Sequence, residues 1–546
     1  MVYTNYPTTE YNNNLSSRRD VMKIRVHYCL ISIVLQILLL TGEPGMSNDL
    51  KRFHFPDQLL FGAATSAYQI EGAYLEDGKG LNNWDIFCTS KGKTHNGETG
   101  DVADDHYHRY MEDIDLMQRL GLDAYRLSIS WARILPKGRF GGVNKAGIEF
   151  YNNVIDNVIS KVAGIKPFVT IHHHDYPQEL EYRYGGWLDS EMQADFVYFA
   201  EKCFESFGDR VKYWITINEP NLFSGMAYEK GIYPPSHCSL PFGNCTSGNS
   251  DVEPLIAMHN MLLAHGKAAK VYREQFQPKQ GGFIGITAHM FMYEPFCNDD
   301  VHDHEAVNRA LAFNAAWTYD PLIYGDYPPE MHFYHGSELP NFTSEEKTLV
   351  KDSVDFIGIN HYGTLYAKDC LYSSCNCTGS SCSKGADRVI EGFLYTTGEK
   401  DGVPIGEPTG SPRFFSVPRG IEKIVDYVKE RYHNKPMFIF ENGYSSPNKT
   451  TLALEVELDA KRIEYHKAYL SYLAQAVSNG ADVRGYFIWS LLDSFEWIDG
   501  YETRFGLYYV EPHTLRRVPR LSATWYRDFL SKMNLRNMEK ANLAMF

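Results

Sequence analysis

The chain has 546 residues, 44% hydrophobic and 14% aromatic, enough to bury the core of one large domain or of two to three average ones. Its formal net charge of −15 at pH 7, from 53 Lys and Arg against 68 Asp and Glu with no basic run, argues against a nucleic-acid partner and suits a small neutral ligand. The 38 Tyr, 31 Phe and 8 Trp suffice to line a carbohydrate cleft as well as a core.

The N-terminus reads as a targeting segment. Residues 1–20 are polar; Met22-Lys23-Ile24-Arg25 then leads into an apolar run from Tyr28 to Leu40 that ends at Thr41-Gly42-Glu43-Pro44-Gly45. A basic entry, an apolar run of about a dozen residues and a small-residue exit predict a secretory signal within residues 1–45, with Met22 a second candidate start. The alternative, a membrane anchor, needs a longer run. The expectation is a secreted protein without membrane contact after signal removal, its folded domain occupying residues 46–546.

Secretion makes the cysteines readable as disulfides. Cys238 and Cys245 bracket a Pro-Phe-Gly turn and are expected to close a small loop, while Cys370, Cys375, Cys377 and Cys382 crowd a Ser/Gly-rich segment. A zinc site is the alternative, but the crowded Cys370 to Cys382 stretch contains no histidine. Of the remaining cysteines, Cys29 falls in the signal and Cys88, Cys203 and Cys297 stand alone, so at least one thiol stays free. Sequons at Asn244, Asn341, Asn376 and Asn448 predict glycosylation.

Along the chain, short apolar runs occur at Leu59 to Ala64, Ala124 to Ile129, Lys166 to Ile171, Tyr213 to Ile217, Phe283 to Ile286, Asp355 to Ile359, Met437 to Phe440 and Gly485 to Trp489. Between them lie stretches with helical spacing, such as Tyr107, Tyr110, Met111, Ile114, Met117 and Leu120, or Met192, Phe196, Phe199, Cys203 and Phe207. Further ones are Leu255 to Val271, Ile421 to Val428 and Ile463 to Val477, while the acidic stretch Glu455 to Glu464 reads as a solvated helix face. This alternation predicts an α/β fold, a single (β/α)8 TIM barrel, with Cys238 to Ser250 and Cys370 to Pro412 as long loops. An open doubly wound sheet is the fallback, but no glycine-rich phosphate turn accompanies it.

A barrel of this type gathers its chemistry at the C-terminal strand ends. Those ends carry Gln69, Arg126, His173, Asn218 with Glu219, Asn360 with Tyr362, Glu441, and finally Trp489 with Glu496 and Trp497. Polar groups beside indoles suit a sugar, the former bonding hydroxyls and the latter stacking on the pyranose face. Glu219 and Glu441 each follow an apolar strand next to an asparagine, where burial is costly without a use. A pair of carboxyl groups on one rim is what glycoside cleavage needs: one group faces an oxocarbenium-like transition state and the other protonates the leaving oxygen. Arg126, a charge inside an apolar strand, is placed to keep the nucleophile ionised or to form a structural ion pair. In His172-His173-His174-Asp175, strand alternation sends His172 and His174 away from His173, so a hydroxyl-binding His173 is expected and no metal or cofactor.

Five stretches in order carry a resemblance: Phe61-Gly62-Ala63-Ala64-Thr65-Ser66-Ala67-Tyr68-Gln69-Ile70-Glu71-Gly72, Tyr125-Arg126-Leu127-Ser128-Ile129-Ser130-Trp131, Asn218-Glu219-Pro220, Glu441-Asn442-Gly443, and Trp489 through Trp497. From Phe53 to about Leu530 the chain resembles glycoside hydrolase family 1, specifically the plant β-glucosidases. The resemblance implies a retaining mechanism with Glu219 as acid/base and Glu441 as nucleophile. It implies that Gln69, His173, Asn218, Glu496 and Trp497 grip the glucose, that Trp489 floors it, and that Arg126, Asn360 and Tyr362 surround the nucleophile. Glutamate rather than glutamine at 219 points to O-glucosides, and Glu496-Trp497 to an unphosphorylated sugar. The loops around Tyr233 to Cys245 and Gly402 to Pro408 resemble those of plant enzymes that cleave monolignol glucosides, coniferin and syringin, in the cell wall or alternatively the vacuole. Three departures stand out: Phe440 in place of threonine, expected to press a ring against Glu441; His174 in place of tryptophan; and Arg413 in place of an aglycone-stacking tryptophan. The alternatives to hydrolysis are an acyl-glucose-dependent transglucosidase and an inactive glycan-binding relative. Homo-oligomer formation is left open.

Overall fold

The computed structural model describes residues 50–160, 164–375, 385–447 and 452–531. The expected signal, the sequons at Asn376 and Asn448, and Cys377 with Cys382 lie outside the described residues.

Each apolar run forms a strand: β1 Leu60–Ala64, β2 Ala124–Ser128, β3 Lys166–His172, β4 Tyr213–Asn218, β5 Phe283–His289, β6 Phe356–Asn360, β7 Met437–Asn442 and β8 Val483–Trp489. They pair in parallel with their neighbours in chain order, and β1 closes the ring on β8 in a register from Leu60↔Gly485 to Ala64↔Trp489. The periodic stretches supply helices: α1 His106–Leu120, α2 Lys145–Ser160, α3 Glu191–Phe207, α4 Glu253–Val271, α5 Trp317–Tyr324, α6 Arg419–Arg431, α7 Leu452–Ser478 and α8 Leu521–Leu530. This is the (β/α)8 barrel that the alternation predicts.

Strand side chains split between two packed clusters. One set, including Val169, Trp214, Ile217, Ile359 and Ile439, packs with helix residues such as Ile114, Phe196 and Leu263. The other fills the barrel interior and is largely aromatic: Phe168, Phe356, Phe438, Phe440 and Phe487, with the small Ala64 and Ala124. Glycine makes the room on neighbouring strands; a Cβ at Gly358 would stand 2.8 Å from the Phe440 ring.

Strict alternation breaks in the two strands that carry the acids. In β4 the register slips against β5 between Ile215 and Asn218, and in β7 it slips against β6 between Ile439 and Glu441. Such bulges re-aim a side chain. In β7 the bulge lets consecutive residues face inward: Phe440 joins the interior cluster while Glu441 lines a cavity above it. In β4 the slip lets Thr216 and Ile217 both turn towards the helices, Thr216 onto His265 of α4 at 2.7 Å, before Asn218 turns back inside.

Two expectations are corrected here. The segment from Cys370 to Pro412 is not all loop: Leu394–Thr397 pairs with Thr364–Asp369, which also pairs with Met292–Pro295, giving a three-stranded sheet beside the barrel. Nor is Glu455 to Glu464 simply a solvated face, because Asp459 and Arg462 are buried as an ion pair of 2.5 Å. Asp459 also accepts from the backbone and hydroxyl of Ser522 at 2.8 and 2.7 Å, fixing the first turn of α8. Disulfides join Cys238 to Cys245 and Cys370 to Cys375, while Cys88, Cys203 and Cys297 are free thiols. Asn244 and Asn341 are exposed, and no helix among the described residues is long and apolar enough to cross a membrane.

Candidate active site

A cavity of about 720 Å³ opens at the C-terminal strand ends, and Glu219, Glu441, His173, Tyr362, Trp489, Glu496 and Trp497 line it. Arg126, Asn218, Asn360 and Gln69 are buried behind that surface, at most 1% exposed. Arg126, from β2, donates to a carboxylate oxygen of Glu441, to Asn218 Oδ1 at 2.6 Å and to Thr170 Oγ1 at 3.1 Å. The Tyr362 hydroxyl donates to the other Glu441 oxygen at 2.6 Å. Asn360 donates to Glu219 Oε1 at 2.8 Å and to Asn218 Oδ1 at 3.1 Å, and the Asn218 amide meets His173 Nε2 at 3.2 Å. One network therefore spans β2, β3, β4, β6 and β7 and holds both acids. Gln69 is engaged by the protein, accepting from Ser66 at 2.6 Å and donating to the Phe495 carbonyl at 2.9 Å.

The two acids sit in different surroundings. Glu219 takes a left-handed backbone, φ 47°, just before Pro220, a conformation that costs on the order of 1–3 kcal/mol for a residue with a side chain. Its N–H donates to the Thr287 carbonyl at 2.7 Å, which helps to hold the turn. Burial pushes the Glu219 carboxyl well above its ordinary range; the nearby Glu441 charge adds to the rise and the Asn360 bond opposes it. Its surroundings thus favour the protonated form of Glu219, whereas Glu441 is matched by a guanidinium and a phenol.

Glu496 is a third buried carboxyl, pushed up to about 8 by burial, with the bond from Ser494 at 3.0 Å acting the other way. A carboxyl raised on folding contributes stability that is full below the ordinary range and is lost as pH rises towards about 8. Glu496→Gln is expected to raise Tm relative to wild type more at pH 8 than at pH 4, measured by thermal melts at both; an equal shift would contradict this.

Phe440 does not press into the cavity. It is fully buried beneath Glu441, stacked on Phe438 at 5.4 Å and packed near Phe168 and Phe487 at 5.7 and 5.4 Å, with the Arg126 guanidinium 5.4 Å from its ring centre. Phe440→Thr is expected to cost about 3–5 kcal/mol through the hole it leaves, without raising kcat. Denaturant titration beside a turnover assay checks both, and a gain in turnover would mark the ring as an obstruction.

The histidine run also differs from the expectation. His172 does turn outward, among Trp131, Trp187 and Phe223. His174 does not: its φ of 69° breaks the alternation and brings its ring within 5.2 Å of both His173 and Trp497. Burial, then the neighbouring His174, takes His173 well below the ordinary imidazole range, so the ring is neutral and able to bond a hydroxyl.

Loops supply wall residues that strand-end reading does not reach. Phe414 stacks on Tyr362 at 4.9 Å and 7°, and Tyr233 packs near Trp497 at 6.1 Å. Arg413 lines the cavity and donates to Thr396 Oγ1 at 2.9 Å. Aromatic residues cluster in both segments, but spacing alone does not assign them to the cavity.

Two unlike carboxyl groups in a cavity walled by indole rings at a barrel mouth define the site of a glycosidase. The chain belongs to glycosyl hydrolase family 1, whose sequence profile matches residues 51–535. A protein from Oryza sativa subsp. japonica named "Probable inactive beta-glucosidase 14" is 53% identical, over 89% of this chain and 92% of its own. A coniferin beta-glucosidase from Pinus contorta is 49% identical, over 92% and 97% respectively. The crystal structure of a rice beta-glucosidase superposes with a TM-score of 0.84 at 43% identity, covering 89% of this chain and all of that one.

Proposed function

We propose that this protein is a retaining β-D-glucosidase acting on O-linked glucosides with an aromatic aglycone of the monolignol type. The observation that carries the reading is the contrast between the two acids: Glu219 buried where its protonated form is favoured, and Glu441 held by Arg126 and Tyr362. In the first step a Glu441 oxygen attacks the anomeric carbon as the glycosidic bond breaks, and Glu219 gives its proton to the leaving oxygen. In the second, Glu219 takes a proton from water, which displaces Glu441 and frees glucose with its β configuration. In this reading neutral His173 and Glu496 bond hydroxyls, with Trp489 under the ring.

The aromatic walls and the likeness to a coniferin beta-glucosidase support the aglycone. The likeness to a protein named as inactive favours a second reading, a glycan-binding relative, against which the complete acid pair weighs. We also place the protein outside the cytosol; the two disulfides and the exposed Asn244 and Asn341 support that. Early-time NMR on an aryl β-glucoside tests the function: β-glucose should appear first. Initial α-glucose would overturn retention, and sugar binding without turnover would favour the second reading.

A further inference from the structure

The outer wall of the cavity carries charges for which a neutral aglycone has no use. Glu229, Lys230, Glu391 and Arg413 all line it. Lys230 Nζ lies 3.4 Å from Glu391 and 4.0 Å from Glu229. Glu229 and Glu391 thus share one ammonium, and two carboxyl groups gathered at one site favour keeping a proton on one of them. In keeping with that, burial and then Glu391 push the Glu229 carboxyl well above its ordinary range. Glu391 lies below its own range, against the effect of burial, because Lys230 faces it. Arg413 donates to Thr396, and among the described residues no carboxylate forms an ion pair with it. With Glu229 shifted towards its neutral form, Lys230 and the unpaired Arg413 weight this wall towards positive charge. That charge stands beside an apolar wall that includes Phe291, Phe313 and Trp317.

An apolar cleft ending in positive charge fits a ligand with an aromatic body and an acidic tip. Building on the glucosidase reading above, we infer that Arg413 and Lys230 select β-glucosides whose aromatic aglycone ends in a carboxylate, over the matching alcohol. The planar Arg413 guanidinium offers the fork that a carboxylate takes, and Lys230 adds a second positive charge at the same wall.

The test compares the β-glucosides of 4-hydroxycinnamic acid and 4-hydroxycinnamyl alcohol, identical except at the tip. At low salt the acid should be favoured about ten-fold in kcat/KM. The acid-to-alcohol ratio should fall towards one in Arg413→Gln and in Lys230→Gln, and in wild type at high salt. Preference for the alcohol, or a ratio that neither substitution moves, overturns the inference. If neither compound is hydrolysed, the glucosidase reading fails. Dissociation constants for the same pair then decide the inference separately, tighter binding of the acid supporting it and equal binding overturning it.

Discussion

Glu441→Gln is expected to lower kcat on an aryl β-glucoside by more than about 10³-fold, since an amide has no anionic oxygen to attack the anomeric carbon. The amide keeps the shape of the carboxylate and can still accept from Tyr362. It leaves the Arg126 charge buried without a counter-charge, however, and breaking a buried pair in this way costs about 3–5 kcal/mol, so a lower Tm accompanies the loss. Chemistry and stability are separated by a truncation, Glu441→Ala, assayed with azide. A small anion admitted beside Arg126 and Tyr362 attacks from the face the carboxylate occupied, and the product should be the α-glucosyl azide. Folded Glu441 variants that turn over at the wild-type rate would remove this residue from the mechanism.

The second large effect is at Glu219, and it should depend on the leaving group. With a poorly acidic alcohol as aglycone, Glu219→Gln is expected to lose about 10²- to 10⁴-fold, the usual range for a general acid. With a dinitrophenolate, which leaves without a proton, the first step survives and the second slows, so a burst of one phenolate per enzyme should precede slow turnover. The pH profile gives an independent sign. The first step needs the proton on Glu219, and burial holds it there above the ordinary carboxyl range; kcat/KM should therefore fall as pH rises through that raised value. The glutamine variant should lose this limb. Equal losses on both leaving groups, with the alkaline limb intact, would contradict the assignment.

The barrel was legible because each strand and helix is long enough to carry its own period, and closure needs little more than their order. The acids were legible for a related reason: an acid following an apolar strand is costly unless something meets it, and Arg126 is the charge that meets Glu441. Where the reading failed, backbone irregularity intervened. Strict alternation placed His174 opposite His173, but a left-handed residue in the turn reversed it. Alternation also gave no means of seeing Phe440 and Glu441 on the same side, which the β7 bulge allows; hence the ring looked like an obstacle when it is core. The third gap lies in the long segment between Cys370 and Pro412. Its short strands draw on pairings with Thr364–Asp369, and the wall residue Glu391 meets Lys230 only through the fold.

The central claim is that Glu441 becomes covalently attached to the sugar while Glu219 manages the proton. The most direct measurement uses a dinitrophenyl 2-deoxy-2-fluoro-β-glucoside, which loads the first step and starves the second, followed by proteolysis and peptide mass spectrometry. The account predicts one fluoroglucosyl adduct per chain on the peptide containing Glu441, slowly released on adding an acceptor. An adduct on a different residue, or steady hydrolysis with no adduct, would contradict it.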